Sequence, residues 1–180
     1  MSGARQRPAG RARNWSWNRI DDGLARALVA SNHPAGGDLV LDLGAGDGVI
    51  TRRLATTGAT VLAFELHPAR ARLLRERFAD DPVKVIRADV GDLRLPRRPF
   101  RVVANPPFDG VSAILARLAH PASRLEQADI VLPRSVALAW SNRLHRRRAA
   151  WRLAVASNLP RSGFTPRPRI DLVHAVITRR

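Results

Sequence analysis

An apolar run from Leu39 to Leu43 passes directly into Gly44-Ala45-Gly46-Asp47-Gly48, and Val49 to Thr57 then take up helical character. The run has the length of a strand, and glycine, lacking Cβ, accepts the positive φ that a tight strand-to-helix turn demands. The alternation then repeats. Thr60 to Glu65 reads as a second strand, Pro68 suits a helix's first turn, Ala71, Leu74 and Phe78 mark that helix's buried stripe, and Val83 to Ile86 form the next strand. Phe100 to Ala104 is a strand, a helix carries Ile114, Leu115 and Leu118, Asp129 to Leu132 is a strand, and an arginine-rich helix covers Ser135 to Arg148. Two closing strands, Trp151 to Asn158 and Leu172 to Thr178, flank the proline-rich loop Pro160 to Arg169. An opening helix carries Ile20, Leu24, Ala27 and Leu28 and ends near Asn32, with Asp21 and Asp22 in its first turn. Strand and helix in turn predict an α/β domain whose parallel sheet is covered on both faces.

With 180 residues the chain is the size of one domain. Its 31 Lys+Arg face 15 Asp+Glu, a net charge of +16, and Lys84 is the only lysine. GC-rich coding explains arginine in place of lysine but not the excess of cations. That excess favours a polyanion, and arginine's planar fork grips phosphate and stacks on bases; a basic membrane-surface protein is the rival. Residues 1 to 13 mix Arg, Pro, Gly, Ser and Ala without periodicity and read as a disordered basic arm, with residues 14 to 180 as the folded domain. No apolar stretch follows Arg5 to Arg13 as a signal peptide would require, and none has the length of a membrane span. Without cysteine there is no disulfide framework or thiolate metal site. A cytoplasmic, metal-independent protein is the expectation.

The chemistry concentrates where strands end. Glu65 closes the second strand about twenty residues beyond the glycines, where an open α/β sheet places an acid that accepts hydrogen bonds from ribose hydroxyls; this spacing points to an adenosine-containing cofactor. Asp89, in Ala88-Asp89-Val90, is suited either to an adenine amino group or to capping the next helical turn. The fourth strand ends in Asn105-Pro106-Pro107-Phe108, the most specific feature of the chain. Two prolines fix φ and remove two donors, so a rigid strand end offers carbonyls and an Asn amide to a target NH2 group while Phe108 stacks on a base. Such a pocket works by proximity and orientation, without a strong base or a metal.

The glycines, Glu65, Asp89 and Asn105 to Phe108, in this order, resemble the class I S-adenosylmethionine-dependent methyltransferases that modify amino nitrogens. More narrowly, the chain is similar to the Erm and KsgA/Dim1 family of rRNA adenine-N6 methyltransferases, and Phe164-Thr165-Pro166-Arg167-Pro168-Arg169-Ile170-Asp171 is similar to that family's F-x-P-x-P-x-V-D stretch. The resemblance covers residues 14 to 180 and implies a Rossmann-like, mostly parallel seven-stranded sheet. By that likeness Gly44, Gly46 and Gly48 line the methionine part of S-adenosyl-L-methionine, Glu65 holds its ribose, Asp89 and Val90 address its adenine, and Asn105 also contacts the cofactor. Asn105, Pro106, Pro107 and Phe108 hold the target base, and Phe164 helps complete the pocket.

Three departures stand out. The family's N-terminal Q-N-F or Q-H-F element is Trp17-Asn18-Arg19, where only Asn18 matches as a cofactor contact. Pro106 replaces the usual Ile or Leu, as in DNA adenine and protein glutamine methyltransferases. The family's C-terminal helical domain is not represented, as in short Erm-like proteins of mycobacteria and related actinobacteria. The arginine clusters, above all Arg146, Arg147 and Arg148, are the expected substitute for its RNA contacts. The resemblance implies methylation of a 23S rRNA adenine, before or during ribosome assembly, by a monomer, with resistance to macrolide, lincosamide and streptogramin B antibiotics. The alternatives are another N-methyltransferase, on DNA adenine or a protein amide, and a non-catalytic RNA-binding relative.

Overall fold

The structure, a computed structural model, describes residues 18–180; the basic arm of residues 1 to 13 and Trp17 lie outside the described residues. Seven strands form one sheet in the order β4-β3-β2-β5-β6-β9-β7: β2 (Leu39–Leu43), β3 (Thr60–Phe64), β4 (Val83–Ile86), β5 (Phe100–Ala104), β6 (Leu125–Pro133), β7 (Trp151–Leu159) and β9 (Leu172–Arg179). β2 through β6 run parallel, while β9 pairs antiparallel with both β6 and β7. The expected mostly parallel seven-stranded sheet is therefore the observed one. A separate two-stranded ribbon joins β1 (Arg19–Ile20) to β8 (Phe164–Thr165).

Alternating side chains divide the sheet between two cores. Leu41, Val102, Ile130 and Leu132 face α4 (Val111–Leu118) and α5 (Arg134–Arg146). Val40, Val61, Val103 and Val131 face α1 (Asp22–Asn32) and α2 (Val49–Ala55), and α3 (Pro68–Arg77) covers Ala63 and Val85 through Ala71 and Leu74. β2 is buried at all five positions, as befits a central parallel strand covered on both faces. The chain order reverses between β2 and β5, one crossover leading outward through β3 and the other through β6. Such a reversal leaves a crevice at the carboxyl ends of the two strands.

Two boundaries differ from expectation for physical reasons. Ile20 belongs to β1, not to the opening helix, because the helix starts only after Asp21, whose carboxylate accepts the Leu24 N–H at 2.7 Å as an N-cap. The strand expected at Asp129 to Leu132 extends over Leu125–Pro133, since β9 pairs with it along its length and supports polar positions such as Gln127 that break the apolar pattern.

Candidate active site

The glycine turn is tied to the strand beside it. The Gly44 and Ala45 N–H groups both donate to the Phe64 carbonyl at 2.9 Å. The Gly46 N–H donates to Glu65 Oε2 at 2.8 Å, and the His67 N–H to Oε1 at 2.7 Å. Glu65, 5% exposed, thus sits at the end of β3 and organises the turn with its own carboxylate. The three glycines have φ of +82°, +62° and +83°, so each needs its missing side chain. A Cβ on Gly44 would lie 3.0 Å from Pro107 Cδ, which brings the turn and the Asn-Pro-Pro-Phe motif into contact across the crevice. A Cβ on Gly48 would lie 2.7 Å from Leu74 Cδ2: that glycine lets α3 pack closely.

Under the turn lies Asp42, 1% exposed. Its Oδ2 accepts from Thr51 Oγ1 at 2.6 Å, while Oδ1 has no partner among the described residues. Burial, aided by the nearby Glu65 and Asp47 carboxylates and opposed by the Thr51 hydrogen bond, pushes Asp42 up to about 7. A small cleft lined by Asp42, Gly44, Ala45, Asn105, Arg19 and Asp47 opens here, and Arg19 and Asp47 pair at its mouth at 2.7 Å.

Asn105 ends β5 and is 8% exposed. Its Nδ2 donates to the Asn18 carbonyl at 2.7 Å, and Asn18 Nδ2 donates to the Pro166 carbonyl at 2.7 Å. Three segments distant in sequence therefore converge on one side chain. Asn18, expected at the cofactor, acts in this structure as the link that orients Asn105. With the Asn105 amide N–H engaged, its Oδ1 is left as an acceptor: no donor among the described residues occupies it.

Other expected residues fall into different places. Asp89 stands three residues past the end of β4, and its carboxylate accepts the Gly91 N–H at 2.9 Å, capping the short 3-10 turn Val90–Asp92. The Val90 side chain is buried in the core. Phe108 is half-buried against the apolar cluster that contains Phe164. Phe164 itself is 2% exposed and sits in that cluster as core behind Phe108. Arg146, Arg147 and Arg148 are exposed but stand at the end of α5, at the sheet edge opposite the crevice. They are not part of the base pocket.

Asp42, Thr51, Arg19 and Asp47 were not singled out from sequence, although Asp42 and Asp47 flank the glycines and were in plain view. No group of His, Asp and Glu able to hold a metal occurs among the described residues. No helix among them is long and apolar enough to cross a membrane.

A Rossmann-like methyltransferase fold, with the crevice at its topological reversal, is the class these features define. The family model for ribosomal RNA adenine dimethylase matches residues 20–180, and the chain belongs to that family. It is 34% identical over 167 residues to the mycinamicin-resistance protein MyrB of Micromonospora griseorubida, covering 89% of this chain and 53% of the relative. It is 32% identical to an rRNA adenine N-6-methyltransferase of Streptomyces fradiae, covering 82% and 51%. The chain thus spans about half the length of these curated relatives. Among solved structures it resembles the 23S rRNA methyltransferase ErmE, with TM-score 0.80, 24% identity, and 92% and 70% of the two chains covered. A dimethyladenosine transferase from Plasmodium falciparum follows the same fold, with TM-score 0.77, 17% identity, and 89% and 63% covered.

Proposed function

We propose that this chain transfers a methyl group from S-adenosyl-L-methionine to the N6 amine of an adenine in 23S rRNA, and that the modification confers macrolide-lincosamide-streptogramin B resistance. The observation that carries the reading is the state of Asn105: its amide N–H is held by Asn18 and its Oδ1 is left open, at a proline-stiffened strand end against the glycine turn.

The crevice suits the cofactor. Its wall is backbone at Gly44, Glu65 keeps lone pairs beyond the two it spends on Gly46 and His67, and Asp42 Oδ1 is a buried acceptor with no partner. Gly44 and Gly46 would hold the methionine part, with Gly48 setting the turn. Glu65 would accept the ribose hydroxyls, and Asp89 with the Val90 backbone would address the adenine. When bound, S-adenosyl-L-methionine supplies an electrophilic methyl group.

The chain's own residues do the rest. Asn105 Oδ1 and the carbonyl of Pro106 accept the two amine hydrogens, which turns the nitrogen lone pair toward the methyl donor. Pro106 and Pro107 fix that geometry without any induced movement. Phe108 stacks on the extruded base and offsets part of the few kcal/mol that flipping costs.

Transfer of labelled methyl groups to protein-free 23S rRNA, mapped by reverse-transcription stops, tests the reading. Asn105→Ala should lower kcat about 100-fold or more, as expected for a group that acts on the reacting atom, while RNA affinity changes little. Phe108→Ala should cost roughly 1 to 3 kcal/mol in kcat/KM, the worth of one stacked base, and Phe108→Tyr much less. Wild-type rates in both alanine variants would remove the site from this crevice. Label on DNA or protein alone would replace the RNA substrate, and cofactor binding without any transfer would make the chain a binding protein.

A further inference from the structure

The direction of the sheet puts the densest arginine cluster far from the proposed pocket. β6 ends at Pro133 on the edge where β2, β3 and β5 also end, and α5 turns back from Arg134 at once. Thirteen residues later, after roughly 20 Å of helix at 1.5 Å per residue, it ends at Arg146. The next strand confirms the edge: Trp151, the first residue of β7, pairs with Arg179, the last of β9, and Thr178 pairs with Gln127 near the start of β6. Arg146, Arg147 and Arg148 therefore project at the edge where the parallel strands begin.

This corner is unneutralised. From Arg134 to Arg180 there are eleven arginines and a single carboxylate residue, Asp171, which pairs with Arg161 at 2.7 Å in the loop at the crevice edge. Asp38 and Glu126, the carboxylates at the starts of β2 and β6, both engage Arg101, each at 3.3 Å. Arg146, Arg147 and Arg148 form no ion pair among the described residues. Among the described residues the tryptophans of this corner offer no stacking face, and its exposed rings are the small imidazoles of His120 and His145. Trp140 and Trp151 are buried, at 8% and 0% exposure, and Arg143 and Arg179 lie over their rings at 4.8 and 5.4 Å. Single-stranded RNA is held by bases stacked on exposed aromatic rings, whereas a duplex is held through its phosphates and shape.

We infer that the corner formed by the end of α5 and the start of β7 is a second docking surface, which grips the phosphates of an RNA duplex flanking the target adenine. The inference rests on the proposed RNA substrate and specifies its form: the adenine lies in an unpaired stretch joined to a stem long enough to reach from the crevice edge to the opposite edge. Cations in a helix's last turn also favour its dipole, so a purely structural role would show itself in thermal stability.

The test compares wild type with the triple variant Arg146→Gln, Arg147→Gln, Arg148→Gln on two RNAs carrying the same target loop, one with a short stem and one with a stem extended past 20 Å. For the long-stem RNA, the variant should raise KM about tenfold and flatten the slope of log affinity against log salt by about 2 to 3, near 0.9 per duplex phosphate contact. For the short-stem RNA it should change little, with kcat, cofactor affinity and melting temperature near wild type in both cases. Equal KM values on the long stem, an equal loss on both RNAs, or a lowered melting temperature as the sole effect would each overturn the inference. Failure of the wild type to methylate either RNA would instead overturn the proposed substrate.

Discussion

Two aspartates are buried in this sheet, Asp42 on β2 and Asp129 on β6, at 1% and 0% exposure, and the fold treats them in opposite ways. Asp129 receives four side-chain donors: Ser31 Oγ at 2.7 Å, Asn32 Nδ2 at 2.7 Å, Gln127 Nε2 at 2.8 Å and His174 Nε2 at 2.6 Å. Burial pulls its pKa upward, but these hydrogen bonds, led by His174, together outweigh burial and hold the carboxyl below its ordinary range. Asp42 receives only Thr51, and burial carries it up to about 7. The difference lies in what surrounds each. Asp129 is reached by α1, β9 and its own strand, all of which bring side-chain donors. Asp42 ends at the crevice, where its neighbours are glycines and further carboxylates. A strand end bordered by glycines and carboxylates lacks the side-chain donors that would otherwise satisfy its buried groups.

The largest test of that contrast is Asp129→Ala. It leaves two buried donors, Asn32 and His174, and two half-buried ones around no acceptor, and removal of one partner from such a buried charged network costs about 3 to 5 kcal/mol. Denaturant unfolding should show that loss, with Asp129→Asn losing less because one oxygen still accepts. An alanine variant as stable as wild type would mean the network is not what holds α1 to β6 and β9.

The pH dependence should separate the two residues further. Asp129, with its pKa depressed, contributes stability that is present above its unfolded value near 3.8 and is lost as the pH falls through its folded value. Asp42 has the opposite sign. Its raised pKa contributes stability that is full below 3.8 and is lost as the pH rises toward and through about 7. Asp42→Asn should therefore gain on wild type as the pH is taken from 4 to 8, on the order of 2 to 4 kcal/mol at about 1.4 kcal/mol per unit. Parallel stability curves for variant and wild type over that range would show that Asp42 is not held protonated.

These two carboxylates also mark how far the sequence could be read. The glycine turn, Glu65 and Asn105 to Phe108 were legible because each is a contiguous motif at the end of a strand whose apolar run is visible. The sheet direction then brings strand ends together without further information, as Gly44 meeting Pro107 shows. The Asp129 network carries no local signal, since its donors come from positions 31, 32, 127 and 174, brought together only by tertiary packing. The tie from Asn18 to Asn105 was half visible: Asn18 was marked, but the backbone carbonyl that it contributes belongs to no motif. The far-edge position of Arg146 to Arg148 was in principle derivable. A helix of some thirteen residues that follows a parallel strand must return its end to the opposite edge, whereas the residue types alone give the cluster a polyanionic partner and no position.

The smallest effect is the finest probe of the contrast, because it removes one hydrogen bond from each aspartate. Thr51→Val keeps the shape of a fully buried side chain and deletes the side-chain donor to Asp42; Ser31→Ala deletes one of four side-chain donors to Asp129 from a half-buried position. Each should cost about 0.5 to 1.5 kcal/mol near neutral pH, the usual net worth of one hydrogen bond. The two should differ in their pH profiles. Loss of the Thr51 hydroxyl removes the stronger of the hydrogen bonds that favour the Asp42 carboxylate against burial, so the pH at which stability declines should move upward. Loss of Ser31 leaves three donors on Asp129, and the acid limb should move only slightly. A double-mutant cycle of Thr51→Val with Asp42→Asn, read by denaturant midpoint at pH 5 and pH 8, isolates the pair. The coupling should be larger at pH 8, where the carboxylate is charged, and a coupling independent of pH would reduce the Thr51 contact to packing.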